Sequence, residues 1–334
     1  MMRALLALIL LVLPLAAQED LGLAVFNRPV PADGGPTEIR CVIAVLDVDE
    51  ISDANQNFTV NVYVAAEWND PRQAHEGPGR IRKKVSGVWH PHLIFFNRQR
   101  SWSTIKGVVE IEPDGDVTYR EQFWGDFSQP MNLKDFPFDT QDFELRFVAT
   151  GPEKFGELKI IPAPNSKSFY FETYSVADWK LIGSRIDTSP LELPTGGKTE
   201  SFAFIFTAER LTQHYLIKII APLLMIVILS WVVFWLDPKE GGSQLGVAVT
   251  AFLTMIAYHV ALGSKLPEIS YLTRLDIFVF GSTLLVFFAM MEVVVTTGLA
   301  RTERVALARW LDRVCRLLFP GVLALVGYLA FFAN

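Results

Sequence analysis

The sequence predicts a mainly-β, immunoglobulin-like sandwich over residues 18–210, followed by an all-α domain of four membrane-crossing helices over 211–334. Three observations carry this reading. Apolar and polar residues alternate with period two through the first part. Four apolar runs of roughly bilayer-spanning length fill the second. A short apolar leader opens the chain.

The leader is residues 1–17. Arg3 supplies its charge, residues 5–13 its apolar core, and Ala16-Ala17 a small-residue cleavage site. A secretory signal of this kind places the following domain outside the cytoplasm.

In the β part, Phe58, Val60, Val62, Val64, Ala66 and Trp68 alternate with Thr59, Asn61, Tyr63, Ala65 and Glu67. Phe143, Leu145 and Phe147 repeat the pattern, as do Phe202, Phe204 and Phe206. Pro113-Asp114-Gly115-Asp116 marks the turn of one hairpin and Pro194-Thr195-Gly196-Gly197 the tip of another. Many short strands with such punctuation point to a sandwich.

Residues 217–236, 241–262, 277–297 and 317–332 are the expected spans. With the β domain outside, four spans put the connection 298–316 inside. It carries Arg301, Arg304, Arg309, Arg313 and Arg316, as the bias of cytoplasmic loops toward basic residues requires.

A net charge of −6 and the lack of a basic stripe with interleaved aromatics argue against a nucleic-acid partner. Cys41 and Cys315 sit in different halves, so neither a disulfide framework nor metal-ligand spacing arises. There is no Gly-rich phosphate loop and no G-x-S-x-G. His90-Pro91-His92 has no third ligand near it in sequence. No enzyme activity, metal or cofactor is expected.

The stretch 240–262 carries no formal charge after Glu240. On a helix, Gly246, Thr250, Leu253, Ala257 and Val260 share one face, small and hydroxylated at one end and apolar at the other. Such a face suits a narrow water path closed by an apolar ring. It equally suits a helix–helix contact through small residues.

Asp135-Phe136-Pro137-Phe138-Asp139-Thr140-Gln141 resembles the F/Y-P-F-D-x-Q signature of the pentameric ligand-gated ion channels, the Cys-loop receptor superfamily. Gln129 and Phe143 stand where animal members carry the loop cysteines, as in the bacterial branch. Trp68-Asn69-Asp70 resembles that family's W-x-D. Trp89-His90-Pro91-His92 with Asn97 resembles W-x-P-D…N, with His92 in place of the acid. Glu209-Arg210, Pro222, and Leu266-Pro267 followed by Tyr271 match in the expected order.

The resemblance implies a homopentamer in the plasma (inner) membrane of a bacterium. It makes Gly246, Thr250, Leu253, Ala257 and Val260 pore rings, with Leu253 the apolar gate. Asp53, Phe138, Asp139, Arg210 and Pro267 would couple the two domains at the membrane boundary, with Asp49 and Glu50 competing for the Asp53 assignment. For an agonist site between subunits it points to Trp68, Phe96, Tyr119, Phe123 and Thr150. Phe96 and Tyr119 read equally as strand core. The capping hairpin, about 187–199, has no aromatic residue, which disfavours a quaternary ammonium and leaves protons or another small ligand. At the pore entrance Gly242 and Ser243 replace the usual glutamate, Gln244 takes the position of a basic residue, and Glu240 is the nearest acid. The expectation is monovalent cations. The alternatives are an anion-selective channel and a non-conducting membrane receptor.

Overall fold

The computed structural model describes residues 27–164, 168–170, 174–193, 196–263 and 269–333. The expected leader, Pro194-Thr195 and Leu266-Pro267 lie outside the described residues.

Thirteen strands build the first part among these residues: β1 (Thr37–Ser52), β2 (Asn57–Asn69), β3 (Ile81–Lys84), β4 (Leu93–Phe95), β5 (Arg98–Ile111), β6 (Asp116–Ser128), β7 (Thr140–Ala149), β8 (Leu158–Pro162), β9 (Phe169–Tyr170), β10 (Trp179–Asp187), β11 (Leu191–Glu192), β12 (Lys198–Thr199) and β13 (Ser201–Arg210). One sheet runs β3-β5-β6-β2-β1-β8, with β9 also on β1; the facing sheet runs β10-β13-β7-β4. β11 and β12 pair only with each other, as a small separate hairpin.

The alternating phenylalanines explain why the sheets stack. Phe58 on β2 meets Phe127 on β6 at 5.6 Å between ring centroids, and Phe143 and Phe206 of the facing sheet at 5.2 and 5.7 Å. Edge-to-face pairs of this kind add to the area the rings bury.

The neck of the loop between β6 and β7 is closed by hydrogen bonds. Asn97 donates to the carbonyls of Ser128 (3.2 Å) and Glu144 (2.6 Å), and the Glu144 N–H donates to Gln129 Oε1 (3.2 Å). Phe143 itself is sandwich core.

Among the described residues, four helices long and apolar enough to cross a membrane follow: α1 (Gln213–Trp235), α2 (Pro238–Gly263), α3 (Arg274–Arg301) and α4 (Val305–Phe331). α1 widens into a π turn over Leu216–Ile220, just before Pro222. The wider turn gives room to a ring that clashes with the preceding turn and cannot donate a backbone bond.

α4 differs most from expectation. It begins at Val305, twelve residues before the apolar run at 317, so Arg309, Arg313 and Arg316 of the expected loop lie on its first turns, while Arg301 ends α3 and Arg304 precedes α4. Arg309 and Arg316 are anchored there, Arg309 by Asp237. Arg316 Nε donates to the Phe234 carbonyl (2.9 Å) at the end of α1, and its guanidinium lies 4.6 Å from the Trp235 ring centroid. A cation suits a helix C-terminus. Pro320 cannot donate to the Arg316 carbonyl four residues back; the Trp231 indole N–H takes that place at 3.1 Å. α3 and α4 approach closely at Gly281, where an added Cβ would lie 2.5 Å from Val326 Cγ1.

Candidate functional site

The strongest polar constellation lies where the β domain meets the helices. Arg210 ends β13, Asp139 precedes β7, and Asp53 sits in the β1–β2 turn. All five guanidinium N–H groups have acceptors. Nε donates to Asp139 Oδ1 (2.8 Å), and Nη2 to Asp139 Oδ2 (3.1 Å) and Asp53 Oδ1 (2.8 Å). Nη1 donates to Asp53 Oδ2 (2.7 Å) and the Tyr215 hydroxyl (3.1 Å). The Trp179 and Phe136 rings flank the guanidinium, with centroids 4.1 and 4.7 Å away.

Arg210 and Asp139 are each only 4% exposed, so water does little of this solvation. Burial works against the Arg210 charge, but the bonds to both carboxylates outweigh it and hold the guanidinium above its usual pKa. One guanidinium serves two carboxylates, and the balance shows at Asp53. Burial lifts its pKa above the ordinary carboxylate value, Arg210 opposes this, and Asp139 and Asp178 add to it.

The Phe-Pro-Phe-Asp loop is locked by Gln141, which donates to Asp139 Oδ2 and the Asn132 carbonyl, both at 2.8 Å. Gln56, in the β1–β2 turn, accepts the Met131 N–H at 2.6 Å. The same loop caps α3. The Arg274 and Leu275 N–H groups, unpaired by the helix itself, donate to the Lys134 and Phe136 carbonyls at 3.0 and 3.3 Å. Arg274 also reaches Asp135 Oδ1 (2.7 Å) and the Phe331 carbonyl of α4 (2.7 Å). Tyr271 accepts the Leu133 N–H at 2.9 Å and donates to the Met131 carbonyl at 3.3 Å. Phe138 packs edge-on against Phe331 at 5.6 Å.

Thus the structure brings Asp53, Asp139, Arg210 and Phe138 to one seam; Pro267 lies outside the described residues. Sequence reasoning missed Arg274, Tyr215, Trp179 and Gln56. A basic residue in the first turn of α3, where the helix dipole disfavours it, was the signal for Arg274.

The aromatic candidates divide. Trp68, Tyr119 and Thr150 border a cavity of about 200 Å³ with His90 and His92, whose rings lie 3.9 Å apart. The Thr150 hydroxyl donates to the His92 carbonyl at 2.8 Å and so ties this rim to the next loop. A second cavity of about 280 Å³ runs from Thr150 past Glu153 to Leu193 and Lys198 of the β11–β12 hairpin.

Phe123 must be corrected. It shares a face of β6 with Tyr119 but lies roughly 13 Å further along the strand, buried against Phe95 and Phe127 in the core. Phe96 turns the other way: alternation sends Phe95 inward and leaves Phe96 53% exposed, away from the first cavity. Among the described residues no three His, Cys, Asp or Glu come together in a metal-binding group.

α2 has two contrasting faces. Gly241, Gln244, Ala248, Ala251, Met255 and Leu262 are buried against the neighbouring helices. Gly246, Thr250, Leu253, Ala257 and Val260 are exposed and lie roughly 180° around the helix at 100° per residue. The Thr250 hydroxyl donates to the Gly246 carbonyl (2.8 Å), leaving only its lone pairs to the exposed side. Gln244 faces away from that side. Fully buried, it donates to the Leu236 carbonyl (3.1 Å) and caps the end of α1. Glu240 is exposed at the end of the short turn that opens α2.

Two family models match this chain: the neurotransmitter-gated ion-channel ligand-binding domain over residues 21–174, and the neurotransmitter-gated ion-channel transmembrane region over residues 219–305. The chain belongs to the neurotransmitter-gated ion-channel family. Among relatives of this ion-channel family it is similar to a gamma-aminobutyric acid receptor subunit beta-4 from Gallus gallus, 25% identical over 267 residues. That match covers 78% of this chain and 54% of the chicken subunit, so the chain spans about half the relative's length. The first match ends before β10 and the second spans most of α1, all of α2 and α3, and the start of α4. With four helices long and apolar enough to cross a membrane among the described residues, the protein is a multi-pass membrane protein.

Asp53 gives a pH signature. Its folded-state pKa lies above the unfolded one, so its contribution to stability is full below about pH 4 and is lost as pH rises through the folded value. The melting-temperature advantage of the parent over Asp53→Asn is therefore expected to shrink as pH is raised from about 4. Melting curves of both proteins across pH check this; a difference constant with pH contradicts it.

Proposed function

We propose that this protein is the subunit of a homopentameric ion channel in a bacterial plasma membrane, gated by protons or a small ligand through its extracellular β domain. The observation that carries the reading is the exposed, charge-free face of α2, set opposite that helix's packed face in a chain of this family. Five such faces around an axis make rings of Gly246, Thr250, Leu253, Ala257 and Val260. Leucine rings in a narrow lumen leave water few partners, so a small change in radius switches wetting and conduction together.

The Asp53–Arg210–Asp139 seam transmits the signal. It fixes the start of α1 against the loop that caps α3, and Phe138 carries the same loop onto the end of α4. Charge-assisted bonds in a buried seam have narrow geometric preferences, so the loop and helices shift together. The site for the stimulus is the cavity bordered by Trp68, Tyr119 and Thr150, with Phe96 on the outer surface available to a neighbouring subunit. Burial and the adjacent His92 hold His90 below its usual pKa, so it gains its charge only at a lower pH than a free histidine does.

The conducted ions on this reading are small monovalent cations. Glu240 supplies acid at the pore entrance, Gln244 is turned away, and Thr250 offers oxygen lone pairs to the lumen. A second reading, an anion channel, is favoured by the run Leu253-Thr254-Met255 and by the spacing from Trp235 to Gly246, which resemble the anion-selective branch.

Purified protein in a planar bilayer under a KCl gradient, stepped across external pH and then exposed to small amines and amino acids, tests this. Unitary currents reversing near the potassium potential are expected. Reversal near the chloride potential favours the second reading, and silence from intact pentamers under every condition overturns the channel. Leu253→Thr is expected to lower the stimulus needed for half-activation by about tenfold, the size of a typical coupling energy. An unchanged activation curve removes Leu253 from the gate.

A further inference from the structure

At the end of the helical domain away from the β domain, two acids stand with no ion-pair partner among the described residues. Glu292 on α3 lies eighteen residues beyond Arg274, about 27 Å along the helix. Asp312 on α4 faces it and is 1% exposed. The two carboxyls hydrogen-bond one another, and no other donor reaches any of their four oxygens among the described residues. The nearby arginines are engaged or turned outward. Arg309 pairs with Asp237 at 3.0 Å, Arg316 holds the end of α1, and Arg313 is exposed. Acids inside a membrane domain ordinarily pair with a cation or face a water path.

A cavity of about 240 Å³ supplies the second observation. It lies between α3, α4 and the end of α1, with Glu292 and Cys315 in its lining and walls of Phe234, Leu285, Phe288, Leu318 and Phe319. Phe288 and Leu318 are more than half exposed, so the cavity borders the surface that lipid covers. It belongs to neither the α2 face nor the seam at Arg210. An apolar chamber whose lining holds an acid with no cationic partner is complementary to one kind of molecule: a cation carried on an apolar body.

We infer that this chamber binds membrane-dissolved lipophilic amines, whose ammonium group bonds Glu292, backed by Asp312, while the hydrocarbon fills the space between the phenylalanines. An ammonium there takes the place of the one proton the two carboxyls share, and the aromatic walls favour a cation at their faces. A neutral molecule of the same shape gains the apolar contacts alone.

Cys315 reports occupancy, because the other cysteine, Cys41, is 1% exposed within the β sandwich. The full-length protein in lipid vesicles is treated with a membrane-permeant maleimide in the presence of octylamine or octanol, and Cys315 alkylation is timed by mass. Octylamine is expected to slow alkylation about tenfold more than octanol, the worth of one charge-assisted hydrogen bond. Glu292→Gln should abolish that difference while leaving octanol protection intact. Asp312→Asn should reduce it, and serves should Glu292→Gln fail to assemble. Equal protection by amine and alcohol overturns the inference, as does an amine advantage that survives both substitutions.

Discussion

The Arg210 guanidinium is the constraint on which the junction depends. A buried cation is stable only if every donor is satisfied, and here two aspartates and a tyrosine use all five. Each acceptor comes from a different element: the β1–β2 turn, the start of β7 and the first turn of α1. Removing one acid leaves the cation short of acceptors; removing the cation leaves two buried acids side by side. The junction therefore behaves as one unit. The loop held by Asp139 and Gln141 supplies the carbonyls that cap α3, so α3 inherits its position from the same guanidinium.

Beyond the junction, bonds to helix-end carbonyls join the helices in addition to their apolar packing. Gln244 closes the end of α1 from α2, Arg316 does so from α4, and Trp231 takes the carbonyl that Pro320 cannot serve. These bonds fix α2 by one face and leave the Gly246–Val260 face unclaimed within the chain. The pair Glu292 and Asp312 stands out because its carboxyls bond one another and no other donor among the described residues reaches them.

Much of this was legible in the sequence, and the exceptions have physical causes. Strand alternation and turn residues gave the sandwich, since a half-buried strand requires period two. The aspartate, phenylalanine and arginine of the seam were found through a motif whose residues fold around one cation. The start of α4 was missed because its first three turns are amphipathic and arginine-rich, and length of apolar run sees only the lipid-covered part. Phe123 was misplaced because a shared strand face does not say how deep along the strand a side chain sits. Trp68 borders the first cavity yet is 3% exposed and packs edge-on against Trp89. Gln244 reads as a pore-mouth position by spacing, and only the path of α1 shows its amide turned into the protein. Arg274 lies 139 residues from Asp135, a distance over which no local pattern operates.

The central claim is that α2 lines a water-filled path with the face it does not pack. Single cysteines placed from 242 to 262 in a background lacking Cys41 and Cys315, exposed to a charged thiol reagent during current recording, test it most directly. The account predicts block at 246, 250, 253, 257 and 260, with 248, 251 and 255 silent. Reaction on the 248, 251 and 255 face, or none along the helix while current flows, would contradict it.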